Sequence, residues 1–251
     1  MDEAQLQNLL WSIAISSGTV LPGTTISQAD HIAAFNALER FKRYDKKSGL
    51  DAARRVVAVS IELLSRSGHV YLDNFDVTTP TKLFALGCIT DFVGTRFYTD
   101  ALTDVDRAAL RNSVLTAAKQ LIAEPPSTAA DVKGSRRIIG SKISSLLANM
   151  AVRDFPQRWR NFAAEVLETT QNGGLWNLDG EAIGTKICLE CLANIVEDCT
   201  DSDFNSKVSH VLSRRLPAFH PLLSRIIFKS HIGIVSFSIN FRFRHHAETM
   251  S

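Results

Sequence analysis

The chain has 251 residues, 45% hydrophobic and 22% charged, with a formal net charge of +2. This is ordinary globular composition, too apolar for a disordered chain and long enough to bury a core. The small net charge excludes a globally basic nucleic-acid binder, and four cysteines (Cys88, Cys188, Cys191, Cys199) are too few and too oddly spaced for a disulfide framework.

The apolar residues recur at helical spacing nearly throughout. Leu6, Leu9, Leu10 and Ile13 lie on one helix face. Ser27, followed by Asp30, reads as a capping box opening a helix with Ala34, Phe35, Leu38 and Phe41 in one stripe. Asp51 opens a third helix carrying Val56, Val57, Val59, Leu63 and Leu64, closed by Ser67-Gly68. Thr79 is the expected N-cap of the next, with Pro80 at the first helical position, where its missing N–H does no harm. Thr103 and Asp106 form another capping box, and EPPSTAADVKGS (124–135) reads as a loop.

From Arg136 a helix carries Ile139, Ile143, Leu146, Leu147 and Met150 and runs into RDFPQRW (153–159). The spacing predicts that Arg153 ends that helix and that Asp154 and Phe155 turn the chain. Pro156 then opens the next helix, with Trp159, Phe162, Ala163 and Val166 in register. Trp159 is expected to pack back on the preceding helix and pin the two into an antiparallel hairpin. Further helices are expected at about 180–199 and 203–216. The first has two apolar stripes, Ile183/Ile187/Cys191/Ile195 and Leu189/Leu192/Val196/Cys199, as befits a helix held between neighbours.

Starts near 80, 135 and 179 mark first helices of pairs, and starts near 103, 156 and 203 mark second helices. The later spacings fall within the ~40–47 residues of HEAT and armadillo repeats, and the earlier ones exceed it by roughly the length of the Pro-Pro insertion. The expected fold is an all-α, HEAT/armadillo-like α-α superhelix, or solenoid, over residues 1–216. Residues 217–251 stand apart. VSFSINFRFR (235–244) alternates with the period of a strand, so this atypical tail is expected to be strand-like or disordered, the mark of a truncated or mis-spliced gene product.

Charge is segregated. Asn161–Asp203 holds nine acidic residues and one basic residue, Lys186. RFKRYDKKSGLDAARR (40–55) concentrates Arg40, Lys42, Arg43, Lys46, Lys47, Arg54 and Arg55 against two acids. This stretch is either a solvated helix end or a partner-binding surface, RNA included. No apolar run reaches the ~20 residues that span a bilayer, and the start lacks the positive region of a signal peptide, so no membrane partner and no signal peptide are expected.

Other candidate chemistry is thin. Cys188 and Cys191 fall inside a helix without the second ligand pair a zinc site needs. His245-His246 could chelate a metal, but histidines in an exposed tail usually bind nothing in particular. GLWNLDGEAIG has no phosphate-loop spacing, and Asp198, Asp201 and Asp203 do not follow a calcium-loop pattern. No nucleophile, base and acid arrangement emerges, so neither an enzyme nor a cofactor is expected.

The joint Asp154-Phe155-Pro156-Gln157-Arg158-Trp159 resembles the acid-aromatic-Pro-x-x-Trp turn of the N-terminal region of the importin-β/exportin superfamily, departing from it in Arg160, where the family usually has a second proline. The helix SKISSLLANMAV before it, the LRNSVL segment, and SQADHIAAFNALERFKR also resemble that region, in an order most like exportin-5-type receptors. The resemblance covers roughly residues 1–215. It implies the N-terminal HEAT repeats of a nuclear export receptor, with second helices lining the concave face. The receptor would bind Ran-GTP and cargo (protein or structured RNA), meet nucleoporins, and shuttle between nucleus and cytoplasm without catalysing a reaction. Ran-contact residues do not carry over. The competing readings are a helical-repeat interaction scaffold outside transport, and an RNA-binding module using the basic stretch.

Overall fold

The computed structural model describes residues 2–18, 25–43, 49–66, 70–72, 75–100, 102–123, 130–155, 157–171 and 183–200. The chain divides into two units, 1–205 and 206–251, and all described residues belong to the first. Its elements are α1 (Glu3–Ser16), α2 (Gln28–Lys42), α3 (Gly49–Ser65), β1 (Tyr71–Leu72), β2 (Phe75–Asp76), α4 (Thr78–Val93), α5 (Arg96–Asp100), α6 (Asp104–Ala123), α7 (Ala130–Asp154), α8 (Phe162–Gln171) and α9 (Ile183–Thr200). The fold of the described residues is all-α apart from the antiparallel two-residue ladder of β1 and β2.

Helix starts follow local chemistry. The Asp2 carboxylate accepts from the Gln5 N–H at 2.7 Å, and the Gln5 side chain accepts from the Asp2 N–H. The same reciprocal box joins Ser27 to Asp30 and Thr103 to Asp106. Each satisfies helix N–H groups that lack an intrahelical acceptor. At the other end of α1 the Ser17 N–H donates to the Ile13 carbonyl, and Gly18 follows at φ +71°, a conformation only glycine adopts at no steric cost.

The helices stack in two rows. α1, α4, α7 and α9 contact one another in that order, and α3, α6 and α8 form a second row in the same way. Between rows, α3 packs on α4, α6 on α7 and α8 on α9, while α2 lies on α1. Contacts between successive pairs, with no element packed across the whole set, are the stacking order of a helical repeat. The apolar stripes read from the sequence supply the shared core at Leu6, Leu10 and Ile13 of α1, Ile143 and Leu146 of α7, and Ile187 and Cys191 of α9, joined by Leu86 and Ile89 of α4; all are buried. α7 faces α9 at Gly140, where a Cβ would lie 3.5 Å from Ile187.

Several local expectations are corrected. α7 begins at Ala130 rather than Arg136. Nothing after Pro126 interrupts a helix, and Gly134 costs only about 1 kcal/mol relative to alanine. α4 starts at Thr78, one residue before the expected cap, without a side-chain hydrogen bond at its N-cap Val77. The Thr78 N–H instead donates to Asp76 and its hydroxyl accepts from the Val70 N–H. Phe35, expected in the buried stripe of α2, is 59% exposed, because α2 has a neighbour on one side and Ala34 and Leu38 already face it. In α9 the first stripe is buried, whereas Leu189 and Leu192 of the second are half-buried. α5 and the β1–β2 ladder were not signalled by periodicity. Pro156, the helix expected at 203–216 and the tail 217–251 lie outside the described residues.

Candidate functional site

The RDFPQRW joint is built around one buried carboxylate. Asp154 is the last residue of α7 and is fully buried. It accepts a hydrogen bond from the Tyr98 hydroxyl of α5 at 2.5 Å. It also accepts from Arg111 Nη1 at 3.1 Å and Arg107 Nη1 at 3.4 Å, both on α6. Arg107 and Arg111 are four residues apart and so share a helix face. Arg107 also donates to the Thr99 and Leu102 carbonyls at 2.6 and 3.0 Å, tying the α5–α6 connection to α7. Its guanidinium carbon stands 5.2 Å from the centre of the Tyr98 ring. Burial, followed by the hydrogen bond to Asp154, pushes the Tyr98 hydroxyl pKa well up, so it stays a neutral donor.

Trp159 completes the cluster, but not from a helix. α8 begins at Phe162, not at residue 156. The Asp154 carbonyl accepts from both the Arg158 and Trp159 N–H groups, at 2.7 and 3.0 Å, so the chain wraps the end of α7 before α8 starts. The buried indole stacks edge-on against Phe162 at 4.8 Å, lies 5.1 Å under the Arg111 guanidinium, and donates its Nε1–H to Glu165 at 2.8 Å. Phe155, half-buried, adds an edge contact to Phe162. The indole therefore joins α8 to α6, and α8 packs on α6 and α9. The expected α7–α8 hairpin pinned by Trp159 becomes a three-way joint of α6, α7 and α8. Arg153 extends it by donating to the Gly94 carbonyl at the end of α4.

This cluster is architecture rather than chemistry. Its polar atoms are engaged with one another, and buried charges so paired hold a geometry more than they add net stability. Tyr98, Arg107 and Arg111 were missed by sequence reading. The available signal was two arginines at i, i+4 among the apolar residues Leu110 and Val114, which requires a buried acid elsewhere.

The basic stretch is divided by the fold. Lys42 stands 5.6 Å over the Phe84 ring of α4. Arg54 is exposed and acts electrostatically on Asp106 at the start of α6. Lys46 and Lys47 lie outside the described residues. Arg40 and Arg43, at the end of α2, and Arg55, in α3, line one groove of about 830 Å³ between α1, α2 and α3. Leu9, Phe41, Val56 and Val59 contribute its apolar walls. The five described cations of this stretch are thus parted among three places.

Cys188 and Cys191 are buried free thiols in α9, and burial raises the Cys191 pKa. Among the described residues no group of three His, Cys, Asp or Glu side chains could hold a metal ion. His245, His246, Asp201, Asp203 and most of GLWNLDGEAIG lie outside the described residues, and nothing is described of the side chains of Asp198 and Cys199. No described helix is long and apolar enough to cross a membrane.

Comparison with protein families points to one relationship among those found. The model for Exportin 1-like protein matches residues 136–218, a span that contains most of α7, the Asp154–Trp159 joint, α8 and α9. It supports a relationship to the importin-β/exportin superfamily and carries no information on subtype. No curated protein and no solved structure matches the chain.

Proposed function

We propose that residues 1–216 are the N-terminal repeats of a nuclear transport receptor of the importin-β/exportin type, binding Ran-GTP together with export cargo and shuttling between nucleus and cytoplasm. The observation that carries this reading is the coincidence of the family match with the joint: residues 136–218 include the Asp154–Trp159 turn, and the Asp154 and Trp159 side chains lock three stacked helices. The two-row stacking order supports it, because a repeat array offers extended surface to large partners. In this reading the protein works by binding alone, without catalysis or cofactor. Nucleoporins would be met during passage, and the exportin-5-like order of motifs favours structured RNA among the cargoes.

Pulldown of the full chain with Ran loaded with GTP or GDP tests it. A strong preference for the GTP form is expected. Equal capture of both forms, or of neither, would leave the interaction scaffold as the better account.

A further inference from the structure

Neither the family match, which starts at residue 136, nor the buried joint involves the groove between α1, α2 and α3. It follows α3 from Ala52 to Glu62, about 15 Å at 1.5 Å per residue. α2 packs chiefly on α1 and α3 chiefly on α4, so the two walls stand apart. Ala37, Phe41, Ala58 and Val59 offer its apolar surface over the buried Leu9 and Val56, with Gln5, Asn8 and Ser12 of α1 between them.

Its charge is gathered at one end. Arg40 and Arg43 close α2, and Arg55 lies in the N-terminal half of α3, so all three belong to the end where α2 hands over to α3. All three are exposed, and among the described residues none forms an ion pair. Arg40 and Arg43 suit the negative end of α2, but α3 gives Arg55 no such benefit. Glu62 at the far end is already paired with Arg66 at 3.2 Å.

The geometry points to a docking site for an amphipathic protein helix with an apolar stripe and carboxylates in its first turn. The stripe would fill the walls between α1 and α3, and the carboxylates would meet Arg40, Arg43 and Arg55. Acids in the first turn also stabilise the incoming helix itself. Nucleic acid fits less well. A phosphate backbone needs cations spaced along the whole track, and unpaired bases need exposed aromatic platforms. Here the cations cluster at one end, and Phe41 is half-buried against Phe84 at 5.7 Å. The inference does not rest on the transport reading.

The test is fluorescence anisotropy on the full chain with four labelled probes. These are a synthetic helix with a leucine stripe and a Glu/Asp first turn, the same helix with lysines for the acids, the same helix with serines for the leucines, and an RNA hairpin. The acidic leucine helix should bind best, and its affinity should fall as salt rises. Arg40→Glu/Arg43→Glu/Arg55→Glu should weaken it by about tenfold or more. Ala58→Trp, filling the groove from an exposed position, should also weaken it, with helical circular dichroism unchanged in both variants. Equal binding of the lysine or serine helix overturns the proposal, as does unchanged affinity in either variant. Binding of the RNA hairpin in preference to the peptide, lost in the triple-arginine variant, would make the surface a nucleic-acid site instead. A negative result with Ran would leave all of these outcomes in place.

Discussion

Asp154 shows how much one side chain can organise. Its carboxylate is fully buried, and three donors from two helices converge on it. Asp154→Ala would leave Arg107 and Arg111 buried without their counter-ion, and breaking such a pair costs about 3–5 kcal/mol. Urea denaturation should show that loss, whereas Glu62→Ala, at an exposed pair with Arg66, should change stability by less than about 1 kcal/mol. If both variants shift the midpoint equally, the joint does not hold the helices as described. Trp159→Ala removes the indole from between Arg111 and Phe162 and should cost about 3–5 kcal/mol in the same assay. The sequence singled out Asp154 and Trp159 by their motif. It could not name Tyr98 or Arg107, because partners 56 and 47 residues away are set by packing and leave no local pattern.

At the scale of the element, local chemistry and packing make separable demands. The Ser27 and Thr103 hydroxyls and backbone N–H groups hold the Asp30 and Asp106 carboxyls below the ordinary carboxylate value of 3.8. A depressed folded-state pKa gives a stabilising contribution that is present above the unfolded value and is lost as pH falls through the lowered one. NMR titration of Asp106 should give a midpoint below 3.8 that returns towards it in Thr103→Ala; no movement would mean the cap contributes nothing. Packing is probed at Gly140, on α7 facing α9. A Cβ there meets Ile187 at ordinary contact distance, so Gly140→Ala should be tolerated and gain up to about 1 kcal/mol of helix propensity. Gly140→Leu overfills the same contact and should lose about 1–3 kcal/mol in thermal denaturation. The caps and stripes were legible because they are encoded within one or two turns. The start of α8 was not: the spacing of Trp159 and Phe162 suits a helix from residue 156, yet the Asp154 carbonyl captures two N–H groups and delays it.

For the whole molecule, stacking makes each helix the cover of the one before. α9 covers the Gly140 side of α7, and α8 has α9 and α6 as its neighbours. A chain ended at Gln171 should therefore expose that apolar surface, bind a hydrophobic dye and unfold at lower denaturant; unchanged unfolding would mean that α9 is not part of the shared core. The sequence by itself determined the helical class, the capped starts of α2 and α6, most buried faces and the place of the joint, since each rests on periodicity or capping between near neighbours. The tertiary structure alone decided that Asp154 meets Tyr98, Arg107 and Arg111, that Trp159 joins α6 to α8, and that one run of basic residues is parted between the Phe84 ring, the start of α6 and an open groove. Those outcomes depend on which helices come to lie side by side, and side-chain direction relative to a distant neighbour is fixed only when the stack closes.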